Sequence, residues 1–199
     1  MDYLPLRTCS WLAFIAPPIF IVLWVLSATL DGDWVFGVDS LSRMGVSDDR
    51  VAAGLFNCGC MAVGAMGILI GVGMAVHMKG LYTVVGILYS VAMIFLILVG
   101  VFPMDLGTIH YVVSDTFGIL AFFAVVTSSV NDFLRMWHPE IDAALIAAIV
   151  VFVATQPFPL WEAVLVILAL AWTVMQGVKM RIHEDSFPLR FAGDTSSEL

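Results

Sequence analysis

The sequence has few charged residues, and few of those are basic. Asp, Glu, Lys and Arg make up only 12% of the 199 residues, and 8 basic residues stand against 16 acidic ones. Lysine occurs only as Lys79 and Lys179. This shortage of basic side chains makes DNA and RNA poor candidates for a partner, because the phosphate backbone is bound mainly through Lys and Arg. The sequence therefore predicts no nucleic-acid partner.

Cysteine and recognisable cofactor motifs are also scarce. Cys9, Cys58 and Cys60 lack the number and spacing of a disulfide framework or a zinc site, so we interpret them as small packing residues. Cys58 and Cys60 are two positions apart, on different faces of a helix, and should not form a disulfide with each other. Because the chain also contains no Gly-rich phosphate loop, haem motif or nucleotide fingerprint, we expect no cofactor and no metal.

Apolar residues, in contrast, are abundant: they make up 61% of the chain, and the mean hydropathy is +1.03. Such a chain has too little polar surface for a soluble globule. Its apolar runs are long enough to cross a hydrocarbon core of about 30 Å as helices, and they lack the alternation of barrel strands. We therefore predict an all-α, six-helix transmembrane bundle. The predicted spans are residues 11–29, 51–76, 81–102, 109–131, 142–157 and 159–178.

The last two spans are separated by a short break. Pro157 and Pro159 predict a tight turn between two antiparallel helices, with a re-entrant pair as the alternative. Residues 1–179 then form a single transmembrane domain, and residues 180–199 form a polar cytoplasmic tail.

Basic residues predict the orientation, because the cytoplasmic loops of membrane proteins are rich in Lys and Arg. With both termini in the cytoplasm, only Arg43 and Arg50 lie outside, and we predict a multi-pass protein of the cell membrane. The basic residues on the inner side are Arg7, Lys79, Arg135, Lys179, Arg181 and Arg190. The acidic residues at or near the outer side are Asp31, Asp33, Asp39, Asp48, Asp49, Asp105, Asp115 and Glu162.

The second predicted helix carries a stripe of small residues at steps of three and four. The stripe consists of Cys60, Gly64, Gly67, Gly71 and Ala75. Such stripes let helix backbones approach closely within lipid, so we interpret this one as a helix–helix seam. The alternatives are a groove for a lipid tail, or a face used by a homo-oligomer or a partner subunit.

Two polar patches fall on the outer side in this topology, at residues 38–45 before the second helix and at residues 102–110 before the fourth. Helix capping and loop closure are the ordinary roles of such residues. Two patches on one side of the membrane also suggest a site for a polar ligand. The candidate ligand-binding residues are Asp39, Ser40, Ser42, Arg43, Asn57, Asp105 and His110.

The start of the fourth helix offers candidates for catalysis. Ser114 follows His110 by four residues on the same helix face, and Asp115 lies too deep to cap the helix. His110, Asp105 and Asp115 are therefore the candidate catalytic residues, with Ser114 or Ser40 as a possible nucleophile. The pattern does not favour a metal site at Asp105, His110 and Asp115, because no His-x-x-x-His pair occurs.

Other polar residues in the spans have simpler interpretations. Glu162 follows Trp161 at the outer start of the sixth helix, where an interfacial Trp and an acid near a helix N-terminus are both expected. Asn131 and Asp132 close the fourth helix, and the spacing of Arg135 predicts a local ion pair there.

Short motifs resemble those of the DUF998 family, multi-spanning membrane proteins of unknown function. They are residues 39–45 (Asp-Ser-Leu-Ser-Arg-Met-Gly), residues 55–57 (Leu-Phe-Asn), and residues 99–105 (Val-Gly-Val-Phe-Pro-Met-Asp) followed by His110. The family is distantly similar to the Frag1, DRAM and Sfk1 group of six-helix proteins connected with lipid biology. The resemblance implies a lipid-related role by analogy of fold.

Three hypotheses follow. In the first, the protein is not an enzyme and binds a lipid head group or small amphiphile on its outer side, where Arg43 takes a phosphate or carboxylate and Asp105 fixes the tautomer of His110. In the second, it is an intramembrane lipid hydrolase or transferase with His110 as general base and Asp105 or Asp115 as its partner. In the third, it is a small transporter or channel subunit that depends on Asp115.

Overall fold

A computed structural model describes residues 4–135 and 139–186. The described chain contains six α-helices and two short 3-10 helices, and no strand occurs among these residues. The prediction of an all-helical protein is confirmed. The α-helices are α1 (Leu6–Asp31), α2 (Arg50–His77), α3 (Leu81–Val101), α4 (Thr108–Arg135), α5 (Pro139–Thr155) and α6 (Phe158–Ser186), and the 3-10 helices are Leu41–Val46 and Met104–Leu106.

Five of the described helices, all except α5, are long and apolar enough to cross a membrane. This supports the prediction of a multi-pass membrane protein. The apolar part of α5, Ala143–Thr155, is shorter. Because a helix rises about 1.5 Å per residue, the 17 residues of α5 span roughly 25 Å. Six full crossings therefore stay a prediction.

The last helix continues further than the hydropathy pattern indicated. α6 extends to Ser186, and Lys179 and Met180 are buried within the bundle, so packing continues beyond the apolar run. Residues 187–199, which include Arg190, lie outside the described part of the chain.

The six helices form a closed ring. Each helix packs beside its neighbours in sequence, and α6 returns to pack against α1. The short connections from α2 onward make sequential helices antiparallel, as in other bundles. α1 and α2 are also antiparallel, since Ser27 bonds to Ala52 and Cys9 lies beside Gly73. We call the end formed by residues 32–49, 102–107 and 156–157 the loop end, and the end that contains Leu6, residues 78–80, Arg135 and Ser186 the termini end.

The small-residue stripe of α2 packs against α3. A Cβ atom on Gly64 would lie 2.8 Å from the carbonyl oxygen of Met93, and one on Gly71 would lie 2.6 Å from that of Gly86. Both distances are too short for a real side chain, so the two backbones are in close contact. The interpretation of the stripe as a helix–helix seam is confirmed, and α3 of the same chain occupies the face that we considered for a partner subunit.

Candidate functional site

A folded segment closes the loop end of the ring. We call residues 34–46, which include the 3-10 helix Leu41–Val46, the lid segment. The backbone N–H of Leu41 donates to Oε2 of Glu162 over 2.8 Å, and Nδ2 of Asn57 donates to the carbonyl oxygen of Gly45 over 2.9 Å. These bonds fix the lid segment to α6 and α2. Met44, within the segment, is fully buried.

Glu162 has a role in the lid segment that the sequence did not indicate. We interpreted it as an acid near a helix N-terminus, but its carboxylate accepts a backbone hydrogen bond at the start of the 3-10 helix Leu41–Val46. That helix lies 121 residues away in sequence, so only the closed ring brings the two together.

The structure brings the two predicted polar patches together. The hydroxyl groups of Ser40 and Ser42 each lie 3.9 Å from Sδ of Met104, which belongs to the second patch. Sulfur is a weak acceptor, so these contacts add little energy. Both serines are half-buried, and each contacts the second patch.

Asp39 and Arg43 form an ion pair one turn apart, in the lid segment. Oδ2 of Asp39 also accepts a 2.9 Å hydrogen bond from the backbone N–H of Val35. This hydrogen bond, together with the Arg43 guanidinium, lowers the pKa of the Asp39 carboxyl, and Asp39 in turn raises the pKa of Arg43. The side chain of Arg43 is 46% exposed and has five N–H donors, so it retains donors for an anion.

His110 is buried in the first turn of α4. Its Nδ1 lies 2.8 Å from the carbonyl oxygen of Phe102, so Nδ1 donates and Nε2 is the acceptor in the neutral ring. The Phe102 carbonyl therefore makes the contact that we expected from Asp105, which is exposed.

The other two candidates on α4, Ser114 and Asp115, have different surroundings. Ser114 donates to the carbonyl oxygen of Tyr111 over 3.2 Å, and Asp115 is exposed on α4. Within the described residues, no three His, Cys, Asp or Glu side chains are grouped closely enough to hold a metal ion.

A buried polar network crosses the ring near the termini end. Asp132 is fully buried and forms an ion pair with Lys179, whose side chain is 3% exposed. The hydroxyl of Tyr82 donates to the same carboxylate. The Ser128 hydroxyl accepts 3.3 Å hydrogen bonds from Gln176 and from Lys179. The network therefore connects α3, α4 and α6.

The local ion pair predicted from the spacing of Arg135 is wrong. Nε of Arg135 donates to the neutral amide oxygen of Asn131 over 3.3 Å, while Asp132 pairs with Lys179. The contact between Asp132 and Lys179 spans 47 residues, and no spacing rule indicates it. The available signal was the presence of two opposite charges close to the ends of apolar helices, where ionisable groups usually pair.

An apolar cavity of about 170 Å³ lies within the ring, and all six helices contribute to its lining. Every described residue that lines it is apolar except Tyr89, Trp172 and Thr173. The Tyr89 hydroxyl lies 2.9 Å from Oγ1 of Thr173, and Oγ1 itself donates to the carbonyl oxygen of Ala169, so Tyr89 donates to Thr173. Nε1 of Trp172 has no hydrogen-bond partner among residues 4–135 and 139–186.

The comparisons with known proteins give one match. The sequence model of a family described as a protein of unknown function, DUF998, matches residues 14–179. Neither a curated protein nor a solved structure matches the chain significantly.

Proposed function

We propose that this chain, which belongs to the DUF998 family of proteins of unknown function, binds a lipid or another small amphiphile within its helical ring. The predicted location is the cell membrane, with both termini in the cytoplasm. The apolar part of the ligand would occupy the cavity, and membrane lipids are the expected source.

The cavity is the observation that carries this proposal. Helices in a bundle usually pack without gaps, so a partly open apolar space of about 170 Å³ between all six helices departs from the usual packing. An engineered apolar cavity of about 150 Å³ stays free of water and binds benzene, which sets the scale of ligand that such a space holds. The cavity here has room for part of an acyl chain or for a small ring.

Of the seven residues that we predicted to bind a head group, two at the loop end are exposed. Ser40, Ser42, Asn57 and His110 contact other parts of the protein, whereas Arg43 and Asp105 are exposed. We therefore propose Arg43 as the residue that binds a phosphate or carboxylate of the amphiphile, because its guanidinium retains donors beyond the ion pair with Asp39.

The enzyme and transporter hypotheses stay predictions. His110 and Ser114 contact backbone carbonyl oxygens, and no contact between a nucleophile and a base occurs among the candidate residues in the described part of the chain. Asp115 is exposed on α4. No observation therefore favours either hypothesis over amphiphile binding.

A substitution that fills the cavity tests the proposal. Gly118 lines the cavity, and a Cβ atom added there would have no heavy atom within 4 Å. Gly118→Leu should therefore fill space without a clash at its Cβ. Gly54→Leu is the matched control, because Gly54 is also helical, exposed and open around its Cβ, but does not line the cavity.

The measurement is native mass spectrometry of the detergent-purified proteins, read as co-purified lipid per chain. We expect Gly118→Leu to retain several-fold less lipid than the wild type, and Gly54→Leu to retain the same amount. Both variants should fold at least as well as the wild type, since Leu favours helix more than Gly does. Equal retention by all three proteins would contradict binding in the cavity.

A further inference from the structure

Two arginines at the termini end have no carboxylate partner. Neither Arg7 nor Arg181 forms an ion pair or a side-chain hydrogen bond within the part of the chain that the structure describes. Arg7 is exposed in the first turn of α1, and Arg181 is half-buried near the end of α6. Because a guanidinium is always charged and has five N–H donors, both side chains keep their donors for an anion from outside the chain.

The packing of α1 against α6 places the two arginines at the same level. Oγ of Ser10 donates to the carbonyl oxygen of Gly177 over 3.2 Å, so these two residues lie side by side. Arg7 is three residues from Ser10 and Arg181 is four residues from Gly177, both toward the termini end, where α1 begins and α6 ends. At about 1.5 Å per residue, the two arginines therefore lie about 4.5 Å and 6 Å beyond that level, on neighbouring helices.

Trp11 lies on the face of α1 that connects the two arginines. Arg7, Trp11 and Phe14 follow one another at steps of four and three, so they share a face of the helix. Cζ of Arg181 lies over the ring of Trp11, 4.6 Å from its centroid, and a Cβ atom at Gly177 would lie 3.3 Å from the ring of Phe14. Both contacts place this face beside α6, so Arg7 and Arg181 are on the same side of the bundle. The cation–π contact also holds the guanidinium of Arg181 in one orientation.

These residues lie at the depth of lipid head groups. The 26 residues of α1 span about 39 Å, which is longer than a hydrocarbon core of about 30 Å, so the ends of the helix extend into the head-group region. Trp11 is 51% exposed and lies near the start of α1, and Trp side chains are enriched at the membrane–water interface. Arg7, one turn further out, is therefore at the level of the phosphate groups.

We infer that Arg7 and Arg181, with Trp11 between them, form a site between α1 and α6 for the phosphate of an anionic phospholipid in the leaflet at the termini end. Both guanidinium groups donate to phosphate oxygens. Two unpaired positive charges favour a lipid with a net negative head group, because they repel the cationic amine of a zwitterionic one. None of the three residues lines the cavity, and the site is at the opposite end of the bundle from Arg43, so this inference does not rest on the proposed function.

Two phospholipids that differ in head-group charge test this inference. Native mass spectrometry of the detergent-purified protein measures the binding of dioleoylphosphatidylglycerol and of dioleoylphosphatidylcholine over a range of concentrations. The variants are Arg7→Gln and Arg181→Gln, which remove one charge each. Arg135→Gln is the matched control, because Arg135 is an exposed arginine at the same end whose donors contact the Asn131 amide oxygen and the Lys79 carbonyl oxygen.

We expect the wild type to bind phosphatidylglycerol about tenfold more tightly than phosphatidylcholine. Arg7→Gln and Arg181→Gln should each weaken phosphatidylglycerol binding about fivefold, the attraction that one basic residue near an anionic lipid surface typically provides, and leave phosphatidylcholine binding within about twofold. Trp11→Leu removes the ring but no charge, and should weaken phosphatidylglycerol binding about twofold to fivefold. Arg135→Gln should behave as the wild type. Gly118→Leu should also keep the preference, since the cavity lies apart from this site.

Equal losses in all three arginine variants would overturn the inference, because net charge alone would then explain the preference. Equal affinity of the wild type for the two lipids would overturn it as well. Should Arg181→Gln not fold, Arg7→Gln decides the matter, since Arg7 is exposed and contributes no bond to the described part of the fold.

Inorganic phosphate distinguishes the two sources of a phosphate group. An excess of sodium phosphate should displace no more phosphatidylglycerol than sodium chloride of the same ionic strength does, because a free anion gains nothing from contacts of the acyl chains with α1 and α6. Displacement by phosphate alone would identify the free anion as the ligand and overturn the assignment to a lipid.

Discussion

The ion pair between Asp132 and Lys179 allows a direct test of what holds the termini end together. Both side chains are almost fully buried, at 1% and 3% exposure. Lys179→Met keeps the length and apolar stem of the side chain but removes its charge. The carboxylate of Asp132 would then remain buried with the Tyr82 hydroxyl as a neutral donor. Removing one partner of a buried ion pair typically costs about 3–5 kcal/mol, because the remaining charge loses its counter-ion.

A double variant separates the cost of leaving one buried charge from the net contribution of the ion pair to the free energy of unfolding. Asp132→Asn/Lys179→Met removes both charges and keeps a side chain of the same shape beside the Tyr82 hydroxyl, so no buried charge is left without its counter-ion. We expect the double variant to recover most of the stability that Lys179→Met loses. The control is Arg50→Met, which removes an exposed cation at the loop end and should change stability by no more than about 0.5 kcal/mol.

Reversible unfolding in mixed micelles measures these effects, with the helical circular dichroism signal as the readout. A loss of 3 kcal/mol corresponds to more than a hundredfold change in the folded-to-unfolded ratio, since each 1.4 kcal/mol is tenfold. A Lys179→Met variant as stable as Arg50→Met would refute the reasoning. A double variant less stable than Lys179→Met would also refute it, because the buried Asp132 carboxylate would then not explain the stability that Lys179→Met loses.

Three further predictions concern the seam and the lid segment. Gly71→Ala should destabilise the protein by about 1–3 kcal/mol, because its Cβ meets the backbone of α3, whereas Gly118→Ala should not destabilise it; thermal unfolding compares the two. Asn57→Ala should cost about 1 kcal/mol and increase hydrogen exchange in the lid segment, since the Gly45 carbonyl loses its donor; unchanged exchange would contradict this. The folded-state pKa of Asp39 is lowered, so ionised Asp39 stabilises the lid segment above the ordinary Asp pKa near 3.9. This stabilisation is lost as the pH falls through the lower folded-state pKa. Over that pH range, hydrogen exchange in the lid segment should rise in the wild type but not in Asp39→Asn.

The features that the sequence predicted well are those that depend on local composition. Helical spans follow from continuous apolar runs, and the break at residues 156–157 lies where the prolines place it, because Pro removes a backbone donor and clashes with the preceding turn. The seam was also predictable, because Gly64 and Gly71 recur at helical spacing and only glycine permits such a close backbone approach.

Partners across the ring could not be predicted in the same way. Glu162 and Asp132 each lie near a helix end, where capping or a local ion pair is the simplest interpretation. Their partners, the N–H of Leu41 and the ammonium of Lys179, belong to segments 121 and 47 residues away. Which of these polar groups meet depends on the packing order of the six helices, and hydropathy does not determine that order.

The cavity could not be predicted from the sequence for a related reason. Its lining comes from all six helices, and each helix contributes residues that are ordinary core residues when considered alone. Leu145 on α5 and Val63 on α2 illustrate this: each is an ordinary apolar residue of its own helix, and only the packed ring places both at the cavity. A sequence pattern shows which residues face inward, but an unfilled space is a property of how the inward faces fit together. The binding site that we propose therefore lies where the packing of the ring is incomplete, a feature that no single helix reveals.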